Sequence, residues 1–306
     1  MFNSKFSSTC TICPFNCNVD RVENFGICKL PKKILVSRVQ QHFFEEPMIS
    51  GEDLKDGLGG SGAIFFTGCN GRCVFCQNYK ISDPLFWGKK INLETSEEKF
   101  LEICLNLINE KKVHNINFVS PTPYSNLLCK FLNKYKSQIK VPIIWNSNGY
   151  EKVETLKKLD GLVDVYLPDF KYFDNQIALQ YSKFINYFQF ASEAVKEMYK
   201  QVGWLKLNQN NFITNGLIIR HLVLPGHTED SKKILDWIKK EFGEKAYIAL
   251  MAQYYPTYKA ANFPEINRKL SKKEYAEISD YFADLDFADG LIQDLESADP
   301  MYTPEF

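Results

Sequence analysis

From residue 62 onwards, short apolar runs alternate with longer segments of helical period. The runs are "GAIFFTG", "NINFVSP", "VPIIWNSN", "LVDVYLPDFK", "GLIIRHLVLP" and "AYIALMAQY". Each is short and rich in β-branched or aromatic residues, with no strict polar alternation, as expected of strands covered on both faces. Between them, "TSEEKFLEICLNLINEK" places Phe100, Cys104, Leu107 and Ile108 on one helical face, and Thr95 and Glu98 have the spacing of a capping box. "SKKEYAEISDYFADL" opens the same way, with Ser271 and Glu274. Helices are also predicted over 123–138, 151–159, 187–203 and 229–242. Six strands with intervening helices predict a parallel α/β structure with right-handed crossovers. Two units are lacking for a closed eightfold barrel, so a partial (βα)6 barrel is expected rather than a doubly wound sheet. In either case ligands bind at the C-terminal ends of the strands. Polar residues do collect there, in the Cys69 loop, "SPTPY", "NSNGY", "PDFKY", "RHLVLPGH" and "AQYYP". Upstream, "ILVSRVQQHFFEE" (34–46) reads as a further strand, and the Gly-rich "GEDLKDGLGGSG" as a flexible connection. The expected division is a Cys-rich, metal-binding extension with a β segment over 1–60 and a barrel over 61–306.

Charge and composition narrow the function. Lys+Arg and Asp+Glu both number 37, so no broad basic footprint for nucleic acid is present. The N-terminus lacks the apolar core of a secretion signal, and no uninterrupted apolar stretch reaches ~18 residues. A cytoplasmic protein without nucleic-acid or membrane partners is expected. Seven of the nine cysteines form two groups: Cys10, Cys13, Cys17, Cys28, and Cys69, Cys73, Cys76. Grouped cysteines in a long intracellular chain mean metal or redox chemistry more often than disulfides. Cys104 and Cys129 read as small core residues. His42, His114 and His221 read as packed, hydrogen-bonded side chains.

The second group, "GCNGRCVFCQN", has the spacing C-x3-C-x2-C on the loop after the first barrel strand. A closed zinc site uses four protein ligands, and so does a cluster made only for electron transfer. Three thiolates on a [4Fe–4S] cube leave one iron with an open position. Gly68 and Gly71 suit a loop wrapped closely around such a group. The first group, "CTICPFNCNVDR" with Cys28 further on, has four thiols. It suits either a closed zinc site or an auxiliary [4Fe–4S] cluster.

The three-cysteine motif, with Phe75 before its last cysteine, resembles the radical S-adenosylmethionine (SAM) superfamily. Together with "NSNGY", "YLPDFKY" and "IRHLVLPG", the likeness covers roughly residues 60–255. Within that superfamily it is to the activating enzymes of glycyl-radical enzymes, such as the pyruvate formate-lyase activase. "CTICPFNCNVDR", "EEPMISG", "CQNYKIS" and "RHLVLPG" extend it to an activase-like branch over nearly the whole chain. The resemblance implies a partial (βα)6 radical SAM barrel with a Cys-rich N-terminal extension. It implies a [4Fe–4S] cluster on Cys69, Cys73 and Cys76 that cleaves SAM to a 5′-deoxyadenosyl radical, which abstracts hydrogen from a glycyl or other peptidyl site of a partner protein. A low-potential electron donor such as flavodoxin or ferredoxin is implied as well. Carried over residue by residue, Lys171 faces the methionine carboxylate and Asp169 lies near the substrate. Arg220 also serves the methionine, and Asn148 and Gly149 the adenosine. The family's Gly-Gly-Glu after the second barrel strand is absent. Ser120 and Thr122 of "SPTPY" stand in as acceptors of the methionine amine, and Gln253 is a candidate for the ribose. No protein acid or base is required. The alternatives are a radical SAM enzyme acting on a small molecule or RNA, and, in another class, a non-catalytic iron–sulfur electron carrier or zinc scaffold.

Overall fold

The computed structural model describes residues 9–51, 57–83, 86 and 95–299. Strand β1 (Val36–His42) runs antiparallel to β2 (Ser61–Phe66), with His42 opposite Ser61. Strands β3 (Asn115–Val119), β4 (Ile143–Ser147) and β5 (Val165–Pro168) follow in parallel. The run predicted as one strand from "GLIIRHLVLP" is two: β7 (Ile213–Leu217) pairs with β5, and β8 (Ile219–Leu222) pairs with β9 (Ile248–Met251). A bridge between Asp169 and Arg220 continues the sheet across the break. The short β6 (Lys206–Leu207) forms a hairpin with β7, and β10 (Gly290–Ile292) adds a further parallel strand beside β9. Neither β6 nor β10 was predicted, because two or three residues carry too little pattern.

The parallel strands lie side by side in chain order. A doubly wound sheet would reverse that order at a switch point; a barrel wall does not, so the predicted α/β partial barrel is the fold. Helices α1 (Glu97–Asn109), α2 (Ser125–Tyr135), α3 (Asn175–Ser182), α4 (Tyr187–Val202), α5 (Thr228–Phe242) and α6 (Lys272–Asp284) connect the strands. Along β2 successive side chains alternate between two surroundings. Phe66 packs outward against Phe100 of α1, while Phe65 faces a cavity inside the barrel. The lower interior is closed by Ile49 packed with Ile144, Val165, Leu167, Ile218 and Ala249. Burying a side chain of this size contributes ~1.5–3 kcal/mol.

Local signals held unevenly. Ser271 and Glu274 form the predicted capping box. At α1 the cap shifts by one residue: Ser96 is extended and its hydroxyl accepts from Lys99 N–H, so Thr95 and Glu98 do not make the expected pair of reciprocal bonds. Part of the Gly-rich connection, 52–56, lies outside the described residues. At its end, the Gly57 and Gly59 carbonyls are held by the Gln41 side chain. Cys104 is fully buried, but Cys129 is only half-buried and its thiol donates to the Lys158 carbonyl. No helix among the described residues is long and apolar enough to cross a membrane.

Candidate radical SAM site

The loop after β2 carries the three cysteines and is held from two sides. On one side Thr67 N–H bonds to Leu35 O. On the other, Arg72 and Val74 N–H bond to the carbonyls of Ser182 and Tyr181 at the end of α3. Gly68 has φ +74, and a Cβ there would meet Leu30 at 2.8 Å. Its small size therefore admits Leu30 of the N-terminal segment, rather than a group bound by the thiols. At Gly71 a Cβ would meet Phe184 at 2.9 Å and, further off, the Asn148 amide and Cys73 Sγ.

Cys69, Cys73 and Cys76 line one end of a cavity of about 360 Å³ at the C-terminal ends of the strands. Ser120, Asn148, Asp169, Lys171, Arg220 and Gln253 line it too. Each thiol has a polar neighbour. Gly71 N–H and Asn148 Nδ2 approach Cys69 Sγ at 3.3 and 3.4 Å, Ser182 Oγ lies 3.0 Å from Cys73 Sγ, and Ser82 Oγ 3.2 Å from Cys76 Sγ. Burial pushes the Cys76 thiol up to about 12 and raises Cys73, against the pull of the Lys171 ammonium. Donors aimed at sulfur and a nearby cation suit thiolates, whereas burial alone disfavours them. The missing term is the positive charge of a bound metal centre. The residues thus fit an iron–sulfur cluster. Among the described residues, no three His, Cys, Asp or Glu side chains converge on a single-ion position.

Lys171 Nζ bonds to Asp169 Oδ2 at 2.6 Å. Burial works against the ammonium, but the Asp169 carboxylate outweighs it and the Lys171 pKa is raised. The Tyr187 hydroxyl ties this corner together: it accepts from Lys171 N–H and lies 2.9 and 2.7 Å from the Asn148 and Asp169 carbonyls. Gly149 (φ +72) makes room, since a Cβ there would sit 2.8 Å from Asp169 O. It packs against this corner and is not among the lining residues. The Asn148 amide donates to Asn70 Oδ1 at 2.8 Å as well as to Cys69. Ser120 lines the cavity with φ +59, a strained backbone position of the kind found at ligand sites. Thr122 does not reach the cavity: it is buried and donates to Glu151, which also accepts from Trp145 and Ser147. The Gln253 carbonyl accepts from Gln77 of the cysteine loop, and its amide is bonded to Gln293.

At the other end of the cavity Arg220 grips Glu46 through Nε (2.7 Å) and a terminal nitrogen (2.5 Å), and also bonds Glu45. Asn117 donates to Glu45 at 2.9 Å. Burial opposes ionisation of Glu45 and Arg220, but the opposite charges prevail: Glu45 is lowered and Arg220 raised. Glu45, Glu46, Ser182, Tyr187 and His42, which also lines the cavity, were not predicted as site residues. The pair in "EEP", close to Pro and just after a strand, was the available signal for the first two. His221 is packed as predicted, with Nδ1 2.8 Å from Phe170 O and Nε2 2.9 Å from Ser231 Oγ. His114 stacks on Phe212.

A partial parallel barrel with three thiols and a Lys–Asp pair around one cavity defines a class: a barrel protein built to hold a cluster with an open position. The Radical SAM superfamily pattern matches residues 63–238. That is more than half of the chain, and the chain belongs to this superfamily, whose members use a [4Fe–4S] cluster and SAM. An uncharacterized protein of Methanocaldococcus jannaschii, MJ0674, is 36% identical over 270 residues, covering 87% of this chain and 71% of the relative. Among solved structures, methylornithine synthase (PylB) aligns with a TM-score of 0.51 at 15% identity, over 77% of this chain and 64% of that one. Streptococcus suis SuiB bound to its precursor peptide SuiA aligns at 0.53 and 12% identity, over 82% of this chain and 53% of SuiB. These structural likenesses concern the fold. The chain spans between half and two thirds of the length of those solved proteins.

Proposed function

We propose that the protein is an activase-like radical SAM enzyme that abstracts hydrogen from a glycyl or other peptidyl site of a partner protein. The observation that carries this reading is the set of three thiols, each with a polar neighbour, facing the Asp169–Lys171 pair and Ser120 across one cavity. Cys69, Cys73 and Cys76 would hold the cluster. When bound, the cluster and SAM supply one-electron cleavage of a sulfonium and hydrogen abstraction. The chain's own residues bind and orient. Lys171 offers its ammonium to the methionine carboxylate as a charge-assisted donor. Ser120 accepts from the methionine amine, and Gln253 serves the ribose. Asn148 steadies Cys69, and Asp169 both pairs with Lys171 and faces the substrate. Arg220, between Glu45 and Glu46, closes the far wall.

Cavity size supports a peptidyl substrate. About 360 Å³ is near the lower end of the ~300–1,000 Å³ typical of sites for one organic ligand. A site filled by its cofactors favours a substrate that inserts one narrow segment from outside. SuiB, of the same fold, was solved with a peptide. A low-potential flavodoxin or ferredoxin would supply the electron.

The test is anaerobic reconstitution with iron and sulfide, followed by SAM and dithionite. Formation of 5′-deoxyadenosine by the wild type, and none by Cys73→Ala, is expected. Equal product from both would falsify the enzyme reading. A glycyl-radical EPR signal in a candidate partner tests the peptidyl part; turnover only with free small molecules would overturn it.

A further inference from the structure

We propose that Cys10, Cys13, Cys17 and Cys28 bind one thiophilic metal centre, a second iron–sulfur cluster, and that this centre clamps the Cys69–Cys76 loop in place. The first half stands on the N-terminal segment itself. Residues 9–34 contain no helix or strand. Val22, Phe25 and Ile27 are exposed while Ile12, Leu30 and Ile34 are buried, so only a few apolar side chains hold the segment. Yet its backbone is specific and strained: Asn16, Asn18, Arg21 and Lys29 all have φ between 44° and 60°. Such positions persist when something over-determines them, and small segments without a core need a staple. The thiols sit where a staple would act. Two tight turns carry Cys13 and Cys28, closed by Asn16 N–H to Cys13 O and Lys29 N–H to Gly26 O. Cys10 pairs through its backbone with Asn18 and Val19, which bring it beside Cys17. Cys17 Sγ accepts from Ile27 N–H at 3.4 Å, and a Cβ on Gly26 would lie 2.7 Å from that sulfur. All four cysteines are free thiols. Four free thiols on adjoining turns of one short segment are the donor set of a thiophilic cluster.

The second half rests on the reading that Cys69, Cys73 and Cys76 hold the catalytic cluster. The contacts between the two segments are direct. Arg72, between the first two of those cysteines, donates to Cys69 O and Gly71 O at 2.8 Å, and it also reaches Ile27 O, next to Cys28. Leu30 fills the notch left by Gly68. Arg21 fastens this stretch by donating to Leu30 O (3.1 Å), Pro31 O (2.9 Å) and Pro123 O (2.6 Å). Phe15, two residues past Cys13, packs on Tyr150 and Phe184, and Phe184 in turn covers Gly71. The four-cysteine segment is therefore one wall of the three-cysteine loop.

The two halves separate experimentally. In full-length Cys69→Ala/Cys73→Ala/Cys76→Ala protein, metal analysis is expected to find one cluster's iron per chain. The same sample is expected to resist native alkylation at Cys10 and Cys17, which are only half-buried, until a strong chelator is added. A triple variant free of metal, with these thiols alkylated at once or joined in disulfides, overturns the site whatever the barrel does. One zinc per chain, without the visible absorption of a cluster, overturns the cluster assignment. For the clamp, Arg72→Gln leaves all seven thiols intact. It is expected to retain the N-terminal metal while losing the barrel cluster's absorption about five- to thirtyfold faster under chelator, the range that corresponds to one or two kcal/mol. Retention of the N-terminal metal with wild-type cluster loss overturns the clamp and leaves the catalytic reading untouched. Absence of a barrel cluster in the wild type overturns that reading and leaves the N-terminal site standing.

Discussion

The two ends of the barrel cavity are built on opposite electrostatic plans. At the lower end Arg220 is bound to Glu45 and Glu46, so the buried charges there already have partners within the chain. At the upper end three thiols have polar neighbours and a cation close by, yet Cys73 and Cys76 are raised by burial and lack a charge partner large enough to ionise them. A buried site whose charges are paired within the chain is structural in character. One whose balance needs a positive group from outside is a binding site. The same contrast separates the expected consequences of mutation, because damage at the upper end should cost function and damage at the lower end should cost stability.

The largest effect should come from Cys73→Ala. It removes a proposed cluster ligand but leaves a small apolar side chain in an enclosed place. SAM cleavage is expected to fall to the level of the iron-free protein, while the urea midpoint of the metal-free form moves little. A metal-free midpoint that collapses would break the comparison, since the thiol end would then be structural too.

Arg220→Met tests the lower end. It strands two buried carboxylates, and removing one partner of a buried pair costs ~3–5 kcal/mol. Urea denaturation should show a loss of that order, and Glu45→Gln/Glu46→Gln in the same background should recover part of it. A loss below ~1 kcal/mol would mean that the carboxylates find other partners or protonate freely.

Tyr187→Phe addresses the corner that joins the ends of β4 and β5. The lost hydroxyl leaves Lys171 N–H and the Asn148 and Asp169 carbonyls short of a partner. An unsatisfied buried group costs ~1–3 kcal/mol. Because Asn148 and Lys171 face the cavity, SAM affinity measured by equilibrium dialysis should weaken along with stability. Loss of stability without loss of affinity would move Tyr187 out of the site and into the general core.

How far this arrangement could be read in advance depended on distance along the chain. The cysteine loop, the Asp169–Lys171 pair and the strand order were legible because motif, strand end and period lie within a few residues of each other. Helix α3 was not. Its eight residues have a weak apolar stripe, and its start is marked by the Asp174 cap on Gln176 N–H alone. With it went Ser182, the neighbour of Cys73. Glu45 and Glu46 were missed as partners of Arg220 because about 175 residues separate them. A buried Arg in an apolar strand signals that a carboxylate exists without saying where. Thr122 illustrates the reverse: a polar residue at a strand end, in the right stretch of sequence, whose hydroxyl turns to Glu151 and away from the cavity.

The smallest predicted effect lies beside the lower end and depends on pH. His221 follows Arg220 and faces the other side of the sheet, bonded to Phe170 O and Ser231 Oγ, with Asp230, Lys171 and Asp169 as its charged surroundings. Burial is the main influence and lowers its pKa below the ordinary value of about 6.5. The folded protein thus keeps this ring neutral at pH values where the unfolded chain takes up a proton. Stability should fall as pH drops below ~6.5 and stop falling on this account once the folded pKa is passed, with a slope of at most ~1.4 kcal/mol per pH unit. His227 is shifted in the same direction and contributes to the raw curve, so the measurement is the difference between wild type and His221→Gln in urea titrations from pH 7.5 to about 5. The wild type should lose stability faster than the variant across that window. If the two curves run parallel, the ring is not held neutral by burial. Charge can then be accommodated beside Arg220, and the lower end is less tightly balanced than its ion pairs imply.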